Sequence, residues 1–307
     1  MSQTDSTPAT YCLAQKWFAA RRFRSRRQAL GWAVTEQPNA TIRAGIGGWT
    51  YKPWRGTFYP DALAQKNELA YAAEKLATIE VNGTYYRTQQ PATFARWAEA
   101  VPDGFAFSLK APRYVVNRKR LDEAGEGIAR FVNSGLSALG DRLGPILWQL
   151  PPTKTFQAEE FAAFLDLLPA TVDGLALRHA VELRHDSFAC ADAVNLCREA
   201  RVAIVYADSD DYPAIADPTA DFVYARLQRG DNAIETGYSA AALAAWATRL
   251  SSWARGDLPK DLAYVGQGHV QSAGKDGQSR DVFAYFIREG KVRAPQAAMA
   301  LQQRVAG

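Results

Sequence analysis

After Pro38 the chain alternates short apolar runs with segments of helical period, and this alternation limits its possible folds more than any other feature. Strands that alternate with helices are typical of a parallel sheet with helical crossovers. Eight runs qualify as strands. They span residues 42–47, 78–82, 105–110, 146–150, 180–184, 202–208, 222–227 and 282–287.

Helical segments are predicted between most of these strands, at residues 67–76, 91–99, 123–139, 158–167, 191–199, 239–254 and 295–305. The crossover between the sixth and seventh strands is too short for a full helix. Residues 256–280 read as a long loop, within which 262–266 is an alternative eighth strand. Residues 41–307 number 267, close to the roughly 250 residues of a (β/α)8 barrel. We therefore expect an α/β fold with a single (β/α)8 TIM-type barrel at 41–307.

A basic arm precedes this barrel at residues 1–40. The chain has 36 Lys and Arg and 32 Asp and Glu, and the arm holds six of the cations and two of the anions. Thirty of each remain in the barrel, so its body is neutral and broad phosphate binding is disfavoured. Nucleic acid is thus a possible but not a favoured partner. The arm resembles transit and surface-binding helices in composition, and we favour a loosely docked extension.

The cysteines, the apolar runs and the known nucleotide-binding motifs bear on disulfides, metal sites, membrane spans and cofactors. Cys12, Cys190 and Cys197 form no CxxC pair, so neither a disulfide scaffold nor a cysteine zinc site is expected, and a reducing cytoplasm is the default compartment. No apolar run reaches the roughly 18 to 20 residues that cross a bilayer, so we expect no membrane span. No GxGxxG or GxxxxGK[ST] motif is present, so no cofactor is expected.

Polar residues alternate with apolar ones at the ends of most predicted strands. In the second strand, for example, Glu80 and Asn82 alternate with Ile79 and Val81. Alternate residues of a barrel strand face the lumen, and active sites of this fold lie at the carboxyl ends of the strands. We therefore predict a site at the barrel mouth. Its inward-facing polar set is Glu80, Asn82, Ser108, Lys110, Gln149, Glu182, Arg184, Asp208, Arg226 and Gln228.

Two interpretations of this set remain open. The candidate catalytic residues are Glu80, Lys110, Glu182 and Asp208, because a carboxylate or lysine in a partly dry pocket can be tuned for acid–base chemistry. Arg184 and Arg226, with Lys110, would bind an anion. Alternatively, the charges pair with one another and simply fill the top of the barrel.

Aromatic residues cluster in the loop after the first strand, at residues 47–60. Trp49, Tyr51 and Trp54 are candidates for a wall on which a sugar ring or base stacks, and Tyr86 follows the second strand. Such aromatics more often anchor their own loop. Catalytic triads are disfavoured, because His185 is followed directly by Asp186 and Ser187 and no GxSxG elbow exists.

Several blocks of sequence resemble the family known as domain of unknown function 72. They are "GGWTYKPWRGTFYP", "EVNGTYYR", "FSLKAPRYVVNRKRL", "GPILWQLPP", "VELRHDSF", "DFVYARLQ" and "DVFAYFI", which cover nearly all of residues 42–305 in the family's order. The resemblance implies a TIM-type barrel and leaves the activity open. The matched positions are Trp49, Tyr51, Trp54, Glu80, Asn82, Thr84, Tyr86, Lys110, Pro112, Arg113, Gln149, Pro151, Glu182, Arg184, His185, Asp208 and Arg226.

The chain departs from the pattern of this family at three places. Val116-Asn117 stands where the family has Thr-His, Gln228 stands where it has histidine, and Ile287-Arg288 stands where it has Asn-Asn. A proton shuttle by either of those histidines is therefore absent from this chain. The acid–base role falls instead on the carboxylates and Lys110. Substrate binding is expected from Trp49, Tyr51, Trp54, Asn82, Tyr86, Arg113, Gln149, Arg184, His185 and Arg226.

These observations lead to one leading hypothesis and three rivals. The leading one is a metal-independent enzyme that uses acid–base chemistry on a small polar, sugar-like or anionic substrate. A metal-dependent isomerase- or endonuclease-like barrel would draw its ligands from Glu182, Asp208 and His185. A retaining glycosidase would use Glu80 and Glu182 across a cleft. A noncatalytic module would bind, for instance, nucleic acid through the basic arm.

Overall fold

The computed structural model describes residues 40–265 and 279–306. Eight parallel strands close into a barrel, in which each strand pairs with the next and the last pairs with the first. All eight predicted strands are present, and the (β/α)8 architecture is confirmed. The strands are β1 (Ile42–Gly47), β2 (Thr78–Val81), β3 (Ala106–Lys110), β4 (Leu143–Gln149), β5 (His179–Glu182), β6 (Ala203–Asp208), β7 (Phe222–Arg229) and β8 (Asp281–Glu289).

Nine α-helices lie in the part of the chain that the structure describes. They are α1 (Glu68–Lys75), α2 (Gly83–Tyr86), α3 (Pro91–Glu99), α4 (Arg113–Val116), α5 (Gly125–Val132), α6 (Ala158–Asp166), α7 (Ala191–Ala200), α8 (Ala240–Ala254) and α9 (Ala294–Ala306). As predicted, no helix forms between β6 and β7. None of these helices is long and apolar enough to cross a membrane.

One predicted helix, at residues 123–139, is broken in the structure. Its α-helical part ends at Val132, and a 3-10 helix follows at Leu136–Arg142. Between them Gly135 has a φ of +95°, and a Cβ there would lie 2.4 Å from Cγ of Pro91. The positive φ of Gly135 and the close approach of α3 there separate the two helices, and periodicity alone does not mark this glycine as a boundary.

The alternative eighth strand at 262–266 does not form over residues 262–265, and Gly266 lies outside the described residues. The predicted arm at 1–40 lies outside them except for residue 40. His269 and most of the predicted loop at 256–280 also lie outside them.

The barrel lumen is filled by side chains that alternate along the strands. Apolar and aromatic residues occupy its middle, and Tyr285 of β8 contacts Ser108 and Thr78 through its hydroxyl at 2.5 and 2.8 Å. At the amino end, Asp281 pairs with Arg178 at 2.8 Å and with Arg43 at 3.6 Å. These layers fill the lower barrel, so a site for a ligand is expected at the carboxyl ends of the strands. The apolar lumen residues include Ala106, Leu147, Ala180, Val205, Phe222, Tyr224 and Phe283.

Candidate functional site

Arg226 of β7 lies between two buried carboxylates at the carboxyl end of the barrel. Its Nε and one terminal nitrogen donate to the two oxygens of Glu80, at 3.0 and 2.9 Å. The other terminal nitrogen donates to both oxygens of Glu182, at 2.8 and 2.7 Å. All three side chains are buried and face inward. The prediction that these residues lie together in the lumen agrees with the structure.

Further contacts fix the two carboxylates. The Tyr224 hydroxyl donates to Glu80 at 2.8 Å, and the Gln149 amide donates to Glu182. Arg184 lies 3.2 Å from Glu182 through its Nε. Burial by itself raises the pKa of Glu182, but the nearby guanidinium groups of Arg226 and Arg184 outweigh it and lower that pKa to about 2. Glu182 is therefore a fixed anion near neutral pH and not a proton donor.

The space between Glu80 and Glu182 is filled by the Arg226 guanidinium. A retaining glycosidase needs a sugar ring between its two carboxyl groups. Because one arginine bonds both carboxylates, this arrangement does not support the glycosidase hypothesis.

Lys110 ends β3 beside this cluster and differs from its other members. Among the described residues its ammonium group has no ion pair or hydrogen bond, and it lies 4.3 Å from the ring centroid of Tyr85. Thr84 fixes the strand end by donating to the Lys110 carbonyl at 2.7 Å. Burial, followed by repulsion from Arg226, lowers the pKa of Lys110 to about 8. This amine can therefore exchange a proton near neutral pH.

The formal charges of the cluster do not cancel. Glu80 and Glu182 carry two negative charges, whereas Lys110, Arg184 and Arg226 carry three positive ones when the lysine is protonated. The surplus cation is the residue that has no fixed partner. The mouth is thus electrostatically suited to an anionic ligand.

Tyr212, which the sequence analysis did not select, lies in the irregular crossover after β6. The guanidinium carbons of Arg184 and Arg288 lie 4.3 and 5.4 Å from its ring centroid. Arg288 has a φ of +68° and lies within the shift in register between Phe286 and Glu289. The position of Tyr212 in the loop that follows the carboxyl end of β6 is the one signal that could have identified it, because loops at this end build the sites of such barrels.

Gln228 continues the inward-facing series of β7 beyond Arg226. It is 2% exposed, and neither its amide nitrogen nor its carbonyl oxygen has a hydrogen-bond partner among the described residues. Leaving such a group unsatisfied costs about 1–3 kcal/mol. We therefore expect a ligand or a bound water to complete the hydrogen bonds of the Gln228 amide, because a protein rarely keeps a buried polar group unsatisfied.

Replacing Gln228 with methionine is therefore expected to raise the free energy of unfolding by about 1 kcal/mol, because the shape is kept and the unsatisfied amide is removed. Urea denaturation of the two proteins measures this difference. Gln302→Met on α9 is the matched control and is expected to lose stability, since the Gln302 carbonyl oxygen accepts from the Ala44 backbone at 3.0 Å and its amide nitrogen donates to the Ile42 carbonyl at 3.3 Å. A loss of stability in Q228M like that in Q302M would show that Gln228 is satisfied within the folded protein.

The first-loop aromatics do not form the predicted stacking wall. Trp54 is buried, donates from Nε1 to the Lys291 carbonyl at 2.9 Å, and packs edge-on against Tyr51 at 5.3 Å. Trp49 packs edge-on against Trp97 of α3, on the outer side of the barrel, at 5.2 Å. These contacts match the alternative interpretation, in which the aromatic residues anchor the loop.

Asp208 does not join the cluster. The prediction that its side chain faces the lumen was wrong. Its neighbour Tyr206 packs against Trp246 and Trp253 of α8, with ring centroids 5.7 and 5.6 Å apart. Alternation places Asp208 on the same outer face, where it lies 3.4 Å from Nε of Arg229. Burial raises the pKa of Asp208.

The remaining predicted residues lie around the mouth without entering the cluster. Half-buried Asn82 donates to the Glu80 carbonyl at 3.5 Å, and His185 accepts from the Ser187 backbone at 3.2 Å, which caps a short 3-10 helix. Tyr86 is 71% exposed and packs edge-on against Tyr85 at 5.1 Å. Arg113 is exposed at the start of α4.

The ligand set of the metal hypothesis is not brought together. Glu182 faces the lumen and is bound by arginines, whereas Asp208 faces α8. Across residues 40–265 and 279–306, no group of three or more His, Cys, Asp or Glu side chains could hold a metal ion.

Comparison with known proteins gives the fold and a family. The family described as "Protein of unknown function DUF72" matches residues 43–307. A DUF72 family protein from Enterococcus faecalis V583 is 18% identical, with a TM-score of 0.63 over 87% of this chain and 96% of that chain. One from Thermotoga maritima MSB8 is 21% identical, with a TM-score of 0.59 over 85% and 97%. No curated protein matches this sequence.

Proposed function

The chain belongs to the DUF72 family of proteins of unknown function, and we propose that it is an enzyme that transfers a proton to or from a small anionic substrate at the barrel mouth. Lys110 is the acid–base group of this proposal. The observation that carries it is the ammonium group of Lys110, a residue only 9% exposed, which has no fixed partner in the described residues and lies beside a cluster of otherwise paired charges.

The pKa of Lys110, lowered to about 8, supports this role. A general acid or base is most effective when its pKa lies near the working pH. The neutral and protonated forms of Lys110 are both well populated there. Glu182, by contrast, remains ionised, so the expected acid–base role of the carboxylates passes to the lysine.

The arginines and carboxylates have a different role in this proposal. Arg226, held by Glu80 and Glu182, forms a rigid floor, and the positive charge that faces the substrate comes from Arg184 and Lys110. Arg184 keeps 16% of its side chain exposed and can contact an anionic group directly. Charges oriented before the substrate arrives stabilise developing negative charge without reorganisation.

Anion binding that depends on Lys110 tests the proposal without knowledge of the natural substrate. Pyruvate, acetate and inorganic phosphate are the probes, and thermal unfolding of the full chain is the readout. An anion at 100 times its Kd stabilises the folded protein by about 2.7 kcal/mol. We expect at least one probe to raise the Tm of the wild type, and Lys110→Met to abolish that increase.

Lys66→Met is the matched control, because Lys66 is exposed in the 3-10 helix that precedes α1 and is not a member of the cluster. It is expected to keep the wild-type response. NMR titration of isotopically methylated lysines gives a second readout, in which the bound anion raises the pKa of Lys110. Equal anion responses in wild type and K110M would contradict the proposal.

A further inference from the structure

We propose that the Lys110 amine forms an imine with the carbonyl carbon of a small substrate that carries a carboxylate beside that carbonyl, as a 2-oxo acid does. This inference rests on the proposed function, because it uses the same site. It goes further by naming a covalent step and a substrate class.

The first support is that the Lys110 amine remains available for reaction. Every oxygen of Glu80 and Glu182 accepts a hydrogen bond from Arg226, so the carboxylates are already occupied by another cation. Lys110 keeps 9% of its surface exposed, on a strand that ends at the mouth. A small molecule can therefore meet this nitrogen without first displacing an ion pair.

The second support is that two arginines lie near the Lys110 amine. Arg184 and Arg226 are both close enough to repel the protonated form of Lys110. Arg184 is partly exposed and lies over the Tyr212 ring at 4.3 Å. A planar guanidinium in this position is suited to a planar carboxylate, which leaves the adjacent carbonyl carbon to the lysine.

The third support is that the surroundings stabilise the product of the reaction. The Tyr85 ring lies 4.3 Å from the Lys110 nitrogen, and an aromatic face attracts a cation there. The carboxylates of Glu80 and Glu182 lie close enough to attract a positive charge at this nitrogen. A protonated imine keeps the positive charge of the original ammonium group, so these contacts are retained after the carbonyl is attached.

The step itself is balanced without an oxidant or a reductant. The lone pair of the neutral Lys110 nitrogen forms a bond to the carbonyl carbon, and the carbonyl π pair moves to oxygen, which takes up the proton that the nitrogen releases. The resulting carbinolamine expels this oxygen as water after a second proton transfer, while the nitrogen lone pair forms the C=N bond. Amine, carbonyl and one proton thus give a protonated imine and water.

A neutral amine is required for the attack. With a pKa of about 8, roughly half of Lys110 is neutral at pH 8. An ordinary surface lysine, with a pKa near 10.4, is neutral to less than about 1% at that pH. The reactivity of Lys110 is therefore expected to exceed that of surface lysines by on the order of 100-fold.

Borohydride trapping tests the inference on the full chain. The protein is incubated at pH 8 with pyruvate or with acetone, reduced with sodium borohydride, digested and mapped by mass spectrometry. Acetone is the matched probe, because it has the carbonyl and the methyl group but no carboxylate. We expect a carboxyethyl adduct on Lys110, about 100-fold above that on Lys66, and a weaker acetone adduct.

Two variants sharpen the result. Lys110→Arg keeps the charge and is expected to give no adduct at this position. Arg184→Lys keeps the positive charge that repels the Lys110 ammonium group but removes the planar guanidinium, so it is expected to lower trapping with pyruvate, relative to trapping with acetone, about tenfold or more.

The outcomes separate the two proposals. A Lys110 adduct no stronger than those on surface lysines would overturn imine formation, whereas the anion-dependent rise in Tm would still support the proposed function. Equal trapping of pyruvate and acetone would overturn the 2-oxo acid class. Loss of both trapping and anion binding would reject both proposals together.

Discussion

Replacing Arg226 with methionine is expected to lower the free energy of unfolding by about 3–5 kcal/mol, the largest effect on stability that we expect from the cluster. The arginine donates four hydrogen bonds to Glu80 and Glu182, and both carboxylates are fully buried. Without it, two like charges remain in the barrel with little solvent. Urea denaturation at pH 7, monitored by circular dichroism, measures the change.

Arg229→Met is the matched control on the same strand. Arg229 pairs with Asp208 and Asp210, but half of its side chain is exposed, so its loss is expected to cost less than about 1 kcal/mol. Adding Glu80→Gln and Glu182→Gln to R226M removes the stranded charges and is expected to restore part of the stability. If R226M unfolded at the same urea concentration as R229M, the buried ion network would not be a stabilising element.

The sequence could predict that the cluster residues face the lumen. Near the carboxyl ends of three strands, polar residues alternate with strongly apolar ones, so the two faces of each strand are easy to tell apart. In β2, for example, Ile79 and Val81 alternate with Glu80. Two periods of clear alternation identify the face that meets the helices, and the polar residue must face the lumen. The same reasoning placed Lys110 correctly.

Strand β6 shows where this reasoning stops. Both of its faces are apolar, since Ala203 and Val205 line the lumen while Tyr206 packs on the tryptophans of α8. Tyrosine has a polar end and an aromatic body, so grouping it with Asp208 as a polar pair selected the wrong face. Only the packing partner, more than thirty residues later in the chain, decides the direction.

The sequence alone also could not predict which residues contact the site residues. Tyr85 contacts Lys110, and Tyr212 contacts Arg184, across turns whose geometry no local pattern gives. The unsatisfied amide of Gln228 is visible only once its surroundings are known. Sequence patterns predict which residues face a common space, whereas pairing within that space depends on distances between elements that are remote along the chain.

Replacing Glu182 with glutamine is expected to remove about 3 kcal/mol of stability at neutral pH and, with it, an acid-sensitive part of the unfolding curve. The pKa of Glu182 is about 2 in the folded protein, where Arg226 and Arg184 overcome the cost of burial, against 4.5 for the unperturbed group. A lowered pKa adds stability that is fully present above 4.5 and is lost as the pH falls from 4.5 through 2.

Urea denaturation of wild type and E182Q between pH 7 and pH 2 measures this difference directly. We expect the two free energies to differ by about 3 kcal/mol at pH 7 and to converge toward pH 2, where protonated Glu182 resembles glutamine. Glu126→Gln is the control, because Glu126 is 87% exposed on α5 and pairs only with Arg130 among the described residues. A gap that stays constant with pH would mean that the charge of Glu182 contributes nothing and that its shape alone matters.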